Sequence, residues 1–324
     1  MEFGLSEEQQ ELASTVRALL DKRADSAAVR AAMASESGYD DDLWRTLCKQ
    51  IGVAALVVPE EQEGVGATLF ETAVVLEELG RSLAPNPLLA SAIAAAALLL
   101  HGSDEQRAEL LPRIAAGTLA TVVLEPPLVL EPAAEIVLIP RGDALEVSED
   151  RPESRPALDP TLRLGHLDTK VAPSPPLRDV AIALVTALQL GCARRALDMT
   201  VAYTQEREQF GRPIGSFQAL KHRMADLLVL LEMIRSASWA ATGAASSYLA
   251  EPTPERAETL HARATVAKAY CSDALDRIAG ETVQLHGGIA ITWEHDAHLV
   301  LKRAHALGQL FGTASTHRAR VLDD

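Results

Sequence analysis

Proline placement divides this chain into three parts. Ten of the 17 prolines fall between Pro126 and Pro176, and a proline inside a helix removes a hydrogen bond and clashes with the preceding turn. Long helices are therefore disfavoured in that stretch and permitted on both sides of it. The pattern predicts a mainly α fold with an N-terminal helical domain (residues 1–119), a reduced β-rich middle segment (120–176) and a C-terminal four-helix bundle (177–324).

The N-terminal part carries clear helix-start signals. Ser6, Thr68 and Ser103 each stand three residues before a glutamine or glutamate, which is the pattern of a capping box. A further helix is expected to be capped by Asp42. The longest apolar run, residues 88–100, is too short to span a membrane as a helix, which needs about 20 residues. We therefore expect a buried core helix there and no membrane partner.

Helical periodicity returns after the proline-rich stretch. Apolar spacing predicts four long helices, and four such helices in succession favour an antiparallel bundle. The last of them is expected to be interrupted near Gly308 and Gly312. The predicted ranges are residues 180–203, 217–249, 255–285 and 295–322.

The middle segment has weaker signals. Short β-type runs are expected at residues 120–124, 135–139 and 144–147. Residues 148–160, rich in proline and charge, are expected to form an exposed loop.

Charge and composition narrow the function classes. The net charge is −15, with 45 acidic against 30 basic residues, so a general nucleic-acid binder, which needs a basic surface, is excluded. Cys48, Cys192 and Cys271 are widely separated and form neither a disulfide framework nor a metal-binding pair. The first residues lack the basic and apolar regions of a signal peptide. We expect a cytoplasmic protein.

One short segment concentrates positive charge on this acidic chain. Residues 207–218 read REQFGRPIGSFQ, and Lys221, His222 and Arg223 follow. Arginine presents a planar set of donors that matches phosphate oxygens, and a helix that begins after Gly215 offers free backbone N–H groups to an anion. From the residues alone two interpretations stay open, an anion site and a solvated turn between helices.

A second segment, residues 284–296, reads QLHGGIAITWEHD. Gly287 and Gly288 end a helix and permit the close approach of another backbone or a ligand, although helix termination alone also explains them. His295 and His298 are three residues apart and share a helix face if the segment is helical. Acidic and histidine clusters of this kind are usually solvated or paired, so no metal site is predicted.

In this order, the two segments resemble the acyl-CoA dehydrogenase family. That family shows R-x-x-F-G-x-P-I-x-x-F-Q, then a helix with A-D, and then Q-x-x-G-G continued by T-W-E-H-D. Here these are residues 207–218, 225–226 and 284–296. The resemblance covers residues 1–125 and 178–324, which is nearly the whole chain outside the middle segment.

The resemblance implies a fold, a cofactor and an assembly. The fold would combine an N-terminal helical domain, a middle β domain and a C-terminal four-helix bundle, assembled as a dimer of dimers with FAD. The reaction would be the α,β-dehydrogenation of an acyl-CoA thioester, with an electron acceptor flavoprotein as a further partner. In this family the two turns of one subunit contact the adenine-dinucleotide part of the FAD that its neighbour holds.

Individual residues are implied by the same resemblance. Arg207 would place positive charge near the FAD pyrophosphate, and the two glycines would let backbone amides approach it. Arg235 is expected to contact CoA, with a surface ion pair as the alternative. The implied FAD contacts are Arg207, Gln209, Phe210, Gln218, Gln284, Gly287 and Gly288.

The reaction needs a carboxylate that removes the α-proton of the thioester. Many family members carry it as the glutamate of an E-G-T segment near the C-terminus, but the matching residues here, 310–315, read LFGTAS. Counting back from Gly288, by analogy with members that place the glutamate on the preceding helix, leads to Asp273. Asp273 is therefore the candidate base, with a solvated helix residue as the alternative.

The middle segment departs furthest from the family. Of the T-E-P-x-A-G-S-D stretch that encloses the flavin, only Glu125 and Pro126 remain. This combination resembles the short subunits of heteromeric acyl-CoA dehydrogenases, in which two long and two short chains act on steroid side-chain CoA esters. The chain is thus expected to complete the FAD site of a longer partner that supplies the base. The alternatives are a homotetramer that uses Asp273 and a non-catalytic structural subunit.

Overall fold

The structure is a computed structural model that describes residues 4–323, so the outermost positions of the predicted ranges 1–119 and 177–324 lie outside it. Helices fill the N-terminal part, as expected. They are α1 (Glu7–Arg23), α2 (Ser26–Ala34), α3 (Asp41–Thr46), α4 (Leu69–Ser82), α5 (Leu88–His101) and α6 (Asp104–Ala115).

Side-chain caps start these helices. The capping boxes predicted at Ser6, Thr68 and Ser103 are all formed, at the beginnings of α1, α4 and α6. The cap predicted at Asp42 is wrong by two residues. Asp40 is the cap of α3, because its extended backbone lets its carboxylate accept the N–H of Leu43 at 2.9 Å.

The middle segment contains two small sheets. The predicted runs are confirmed as β1 (Ala120–Val122), β3 (Ile136–Pro140) and β4 (Leu145–Val147), with β3 parallel to β1 and antiparallel to β4. A second, antiparallel sheet has the strand order β2-β6-β5 and was not predicted. Its strands are β2 (Leu128–Leu130), β5 (Glu153–Arg155) and β6 (Leu164–His166).

The prediction of an exposed loop over residues 148–160 is wrong in part. Strand β5 lies within it, and Asp159 is completely buried. The carboxylate of Asp159 accepts a hydrogen bond of 3.1 Å from the guanidinium of Arg303, which is also buried. A charged residue is kept inside because it has a charged partner there, and the sequence alone does not show that partner.

The C-terminal helices are α7 (Pro175–Glu206), α8 (Gln218–Ala250), α9 (Pro254–His286), α10 (Ala297–Gln309) and α11 (Ala314–Asp323). The break between α10 and α11 confirms the predicted interruption. Helix α7 is central, since it packs against α4 of the N-terminal part and against α8, α9 and α10. It is long and apolar enough to span a membrane, but 89% of its most apolar window is buried inside the protein.

Two glycines allow α4 and α7 to cross closely. A Cβ atom added at Gly191 would overlap the carbonyl oxygen of Glu77, and one added at Gly80 would overlap that of Leu188. The backbone of each helix therefore occupies the space that a side chain at the glycine of the other helix would need. This crossing joins the N-terminal helices to the bundle.

Replacing Gly191 by alanine is expected to lower the free energy of unfolding by about 2 kcal/mol, because the added methyl group forces the two helices apart. Urea denaturation followed by circular dichroism measures the loss. Gly243→Ala is the matched control, since nothing lies within 4 Å of a Cβ at that helical position. It should be neutral or stabilising. Equal effects of the two substitutions would contradict the close crossing.

Candidate functional site

The two motif segments lie at the same end of the helix bundle. The arginine turn (residues 207–218) connects α7 to α8, and the glycine turn (residues 284–296) starts in the last turn of α9. The ring of Tyr203 on α7 stacks on the ring of His286, the last residue of α9, with centroids 4.5 Å apart. The structure thus brings together two segments that are distant in sequence.

The arginine turn is a short hairpin. Strands β7 (Glu208–Gln209) and β8 (Arg212–Pro213) pair antiparallel, and Phe210 and Gly211 connect them with φ values of 55° and 74°. Positive φ at both connecting residues is the geometry of the tight turn that matches strand twist. The turn therefore projects the side chain of Phe210 away from the protein.

Phe210 is 92% exposed. Its ring is perpendicular to that of Phe217, with centroids 6.1 Å apart, and the guanidinium of Arg212 lies 4.0 Å from the centroid of the Phe217 ring. The side chains of Arg207, Gln209 and Gln218 are exposed as well. All four predicted residues of this turn are thus available to a bound molecule.

The glycine turn offers open backbone. Gly287 has φ 65° and ψ −144°, a conformation that only glycine adopts readily. Nothing lies within 4 Å of a Cβ atom placed at Gly287 or at Gly288. Gln284, one helical turn earlier, is exposed. A ligand can therefore reach the backbone of this turn without meeting a side chain.

An exposed tryptophan beside the glycine turn was missed by the sequence analysis. Trp293 is 55% exposed, yet its ring stacks on His298 with centroids 5.0 Å apart. The cationic groups of Arg30 and Lys302 lie 5.3 and 5.2 Å from its centroid. Ile291 next to it is 80% exposed. The only sequence signal was the tryptophan within T-W-E-H-D, and it does not predict the ring and the cationic groups that surround Trp293.

The segment that matches E-G-T, residues 310–315, lies beside a very small cavity. Phe311 stands where the family carries glutamate, and its side chain is buried. The carbonyl of Phe311 accepts a 2.7 Å hydrogen bond from Arg178, whose Nε donates to Glu125 at 2.6 Å. The cavity that Phe311 lines with residues of α5, β1 and β2 measures about 10 Å³. That is about the space of one water molecule.

Asp273 lies on the outer face of α9, where it lines a groove of about 260 Å³ with Thr313 and Ser315 of the segment that matches E-G-T. Its carboxylate pairs with Arg318 of α11, and both side chains are more than half exposed. It lines a largely apolar surface groove of about 570 Å³ between α8, α9 and α11, together with Val266 and Tyr270. This groove shares no lining residue with the cavity around Phe311. Asp273 as the base stays a prediction.

Arg235 faces the N-terminal helices. It pairs with Glu232 one turn earlier in α8, and its guanidinium lies 5.9 Å from the ring centroid of Trp239. Arg235 and Trp239 also line a groove with Arg17 of α1 and Glu77 of α4. The ion pair that was the alternative interpretation is present, and contact with CoA stays a prediction.

Asp296, which belongs to the acidic and histidine cluster noted in the sequence, forms ion pairs with two arginines. It accepts from Arg30 at 3.0 Å, from Arg195 at 3.2 Å and from Ser26 at 2.6 Å. Across residues 4–323 no group of three or more histidine, cysteine, aspartate or glutamate side chains is arranged to hold a metal ion. Asp296 instead ties α2 to the glycine turn.

Comparison with known proteins agrees with this geometry. Residues 6–118 match the model of the acyl-CoA dehydrogenase N-terminal domain, and residues 182–323 match that of the C-terminal domain. The chain is 45% identical over 315 residues to acyl-CoA dehydrogenase IpdE2 of Mycolicibacterium smegmatis, covering 95% of this chain and 96% of that protein. The chain belongs to the acyl-CoA dehydrogenase family. It is therefore an FAD-dependent dehydrogenase of that family.

Two solved structures in the family are close in shape. One is the Tcur3481-Tcur3483 steroid acyl-CoA dehydrogenase, with a TM-score of 0.84 and 29% identity, covering 98% of this chain and 97% of that one. The other is the ChsE4-ChsE5 complex from Mycobacterium tuberculosis, with a TM-score of 0.84 and 26% identity, covering 100% and 98%. Each is a complex of two different proteins by its name.

The exposed residues of the arginine turn suit the dinucleotide part of FAD. Arg207 offers an exposed guanidinium, which matches pyrophosphate oxygens, and the neighbouring glycine turn leaves space at Gly287 and Gly288 for a ligand to approach. The cavity at Phe311, about 10 Å³, has no room for a flavin ring.

The Phe311 segment also carries a pH-dependent group. Burial lowers the pKa of His317 to about 4, and its Nε2–H donates to the carbonyl of Phe311 at 2.9 Å. The unfolded chain has the ordinary histidine pKa of about 6.5, so between pH 6.5 and 4 only the unfolded state takes up a proton. The stability that neutral His317 confers is present above pH 6.5 and is lost as the pH falls to 4.

We compare the free energies of unfolding of the unsubstituted chain and of His317→Gln. The difference between them, in favour of the unsubstituted chain, is expected to fall by about 3 kcal/mol as the pH is lowered from 6.5 to 4. Urea denaturation at several pH values measures it. Glu131→Gln is a control for which the stability difference is expected to change with pH in the opposite direction. Burial raises the pKa of Glu131 to about 7, so the folded state keeps a proton there that the unfolded state loses. A His317→Gln difference that does not change with pH would contradict the neutral buried ring.

Proposed function

We propose that this chain is the short subunit of a heteromeric acyl-CoA dehydrogenase and that its two turns complete an FAD site held by a longer partner chain. One contrast within the molecule carries the proposal. The arginine and glycine turns lie together and exposed at one bundle end, while the chain's own cavity around Phe311 is closed. A chain that retains half of a site is suited to share that site.

The closed cavity argues against a self-contained enzyme. A thioester and a flavin ring must lie side by side, and a small-molecule site usually needs several hundred Å³. Here Phe311 and neighbouring apolar side chains fill that space, and Glu125 is engaged with Arg178. The base that removes the α-proton is therefore proposed to belong to the partner, together with the pocket around the reactive ring.

Each residue of the two turns has a role in this proposal. Arg207 donates charge-assisted hydrogen bonds to the pyrophosphate. Gly287 and Gly288 have no side chains and so let the dinucleotide approach the backbone of the turn, where the N–H of Gly287 itself donates to the carbonyl of Val283. Gln209, Gln218 and Gln284 supply amide groups around the pyrophosphate. FAD bound there would supply the acceptor for the β-hydride of the thioester, and the chain's own contribution is to bind and orient the dinucleotide.

The same bundle end has the exposed apolar side chains that a partner chain would cover. Phe210, Ile291 and Trp293 are 92%, 80% and 55% exposed. Exposed aromatic side chains near the centre of a polar region are typical of binding hot spots. We propose that the longer subunit covers them in an α2β2 assembly and that an electron acceptor flavoprotein then reoxidises the FAD.

We propose a CoA thioester of the steroid class as the substrate, with a steroid side-chain ester as the first choice. The support is the name of the Tcur3481-Tcur3483 steroid dehydrogenase, which this chain matches over 98% of its length. Activity of the assembled enzyme on a panel of a side-chain ester, a steroid-ring-derived ester, butyryl-CoA and palmitoyl-CoA tests this choice. Preference for a straight chain would overturn it.

Flavin absorbance tests the subunit role directly. The chain is purified alone and together with a longer acyl-CoA dehydrogenase chain encoded in its own genome. We expect FAD in the mixed complex and none in the chain alone. Stoichiometric FAD in the chain alone would overturn the proposal and would favour the homotetramer.

Asp273→Asn is expected to leave the activity of the mixed complex within about twofold of the unsubstituted enzyme, because Asp273 pairs with Arg318 and does not line the cavity around Phe311. The amide keeps the shape and removes the basic group. A matched control is Asp276→Asn on the same exposed face of α9. A selective loss of about a hundredfold or more with Asp273→Asn would identify Asp273 as the base.

A further inference from the structure

Three aromatic rings form a column between the two turns. Tyr203 and His286 stack with centroids 4.5 Å apart and an interplanar angle of 27°. His286 in turn contacts His295, with centroids 4.7 Å apart and an angle of 56°. The column joins the end of α7, the end of α9 and the far side of the glycine turn.

Hydrogen bonds fix the central ring. Nδ1 of His286 lies 2.7 Å from the carbonyl oxygen of Thr282. Since a carbonyl can only accept a hydrogen bond, Nδ1 carries the proton and is the donor. Only 4% of His286 is exposed, and burial lowers the pKa of its ring. Nδ1 of His295 accepts the N–H of Ala297 at 3.2 Å. Both rings therefore have defined orientations and are not free to rotate.

The column stands directly before both turns. The N–H of Arg207 donates to the carbonyl of Tyr203 at 2.8 Å, so the arginine turn starts one helical turn from the first ring. Gly287 follows His286 in the chain, so the glycine turn starts at the second ring. A Cβ atom added to Gly215 would lie 2.9 Å from the carbonyl oxygen of Thr204, so the rest of the arginine turn also packs on the end of α7.

We propose that His286 is a positioning residue that holds the arginine turn and the glycine turn side by side, so that Arg207 and the backbone at Gly287 face one dinucleotide. This inference rests on the proposed function, because it assumes that the two turns grip one ligand. His286 itself is buried and contacts no ligand. It acts through the two helix ends whose separation it sets.

The test uses His286→Ala, which removes the stack, and His286→Phe, which restores an aromatic ring of similar size. Leu260→Ala is the matched control, since Leu260 is fully buried at the other end of α9. Amide hydrogen exchange of the chain alone is measured over residues 207–217 and 287–295. FAD affinity of the mixed complex is measured by flavin fluorescence.

We expect His286→Ala to speed exchange in both turns and to weaken FAD binding about tenfold, the size of effect expected for one lost aromatic stack. His286→Phe should restore both, and Leu260→Ala should lower the melting temperature without changing either. Faster exchange in the glycine turn alone, or equal weakening of FAD binding by Leu260→Ala, would overturn the inference. If the unsubstituted complex lacks FAD, the proposed function fails, and the exchange data still decide whether the column couples the turns.

Discussion

Replacing Arg303 by methionine is expected to lower the free energy of unfolding by about 3–5 kcal/mol. The guanidinium of Arg303 is buried, and it donates to the carboxylate of Asp159 at 3.1 Å and to the carbonyl of Thr161 at 3.1 Å. Removing it leaves Asp159, which has no exposed surface, as an uncompensated charge. Urea denaturation of the purified chain measures the effect.

Two variants separate the buried charge from the loss of side-chain volume. Arg303→Met combined with Asp159→Leu should recover a large part of the stability, because no charge is then left inside. Arg155→Met removes one partner of an exposed pair with Glu153 and should cost less than about 1 kcal/mol. If the double variant is as unstable as Arg303→Met alone, the charge is not the cause.

Replacing Arg207 by methionine is expected to weaken FAD binding by the mixed complex about a hundredfold. Methionine keeps a comparable stem and removes the donors, and a hydrogen bond to a charged group contributes about 1.5–3 kcal/mol. The stability of the chain should not change, because Arg207 is exposed. Flavin fluorescence titration measures affinity, and size-exclusion chromatography shows that the complex still assembles.

Arg113→Met is the matched control for this prediction, since Arg113 is an exposed arginine on α6, away from the bundle end that carries the turns. It should leave FAD affinity unchanged. If Arg207→Met also leaves it unchanged, the chain has a structural role only. The alternative of a non-catalytic subunit would then be favoured over a shared cofactor site.

Local patterns predicted much of the helical framework. The boxes at Ser6, Thr68 and Ser103 are formed by residues three apart, so their whole mechanism is visible in the sequence. The cap of α3 was misplaced because Asp40, Asp41 and Asp42 are chemically identical, and only the backbone conformation selects among them. The second small sheet was missed because β5, of sequence ESR, is exposed at every position and has no apolar residue to mark it as a strand.

The sequence motifs named candidate site residues but not their arrangement. The motifs identified Arg207 and Gly287, yet no pattern in the sequence shows that Tyr203 and His286 stack. The same holds for the burial of Asp159, which depends on Arg303 far along the chain. Contacts of this kind depend on how helices pack, and pairing across such distances leaves no local signature.

The small cavity around Phe311 also predicts how many thioester molecules the assembly binds per chain. In the proposed assembly, each long and short pair would bind one thioester, because the cavity beside Phe311 in the short chain measures only about 10 Å³. Titration with a tight-binding substrate analogue would then saturate at one equivalent per two chains. For the same reason, Phe311→Glu would place a carboxylate in a filled interior without creating a second catalytic centre.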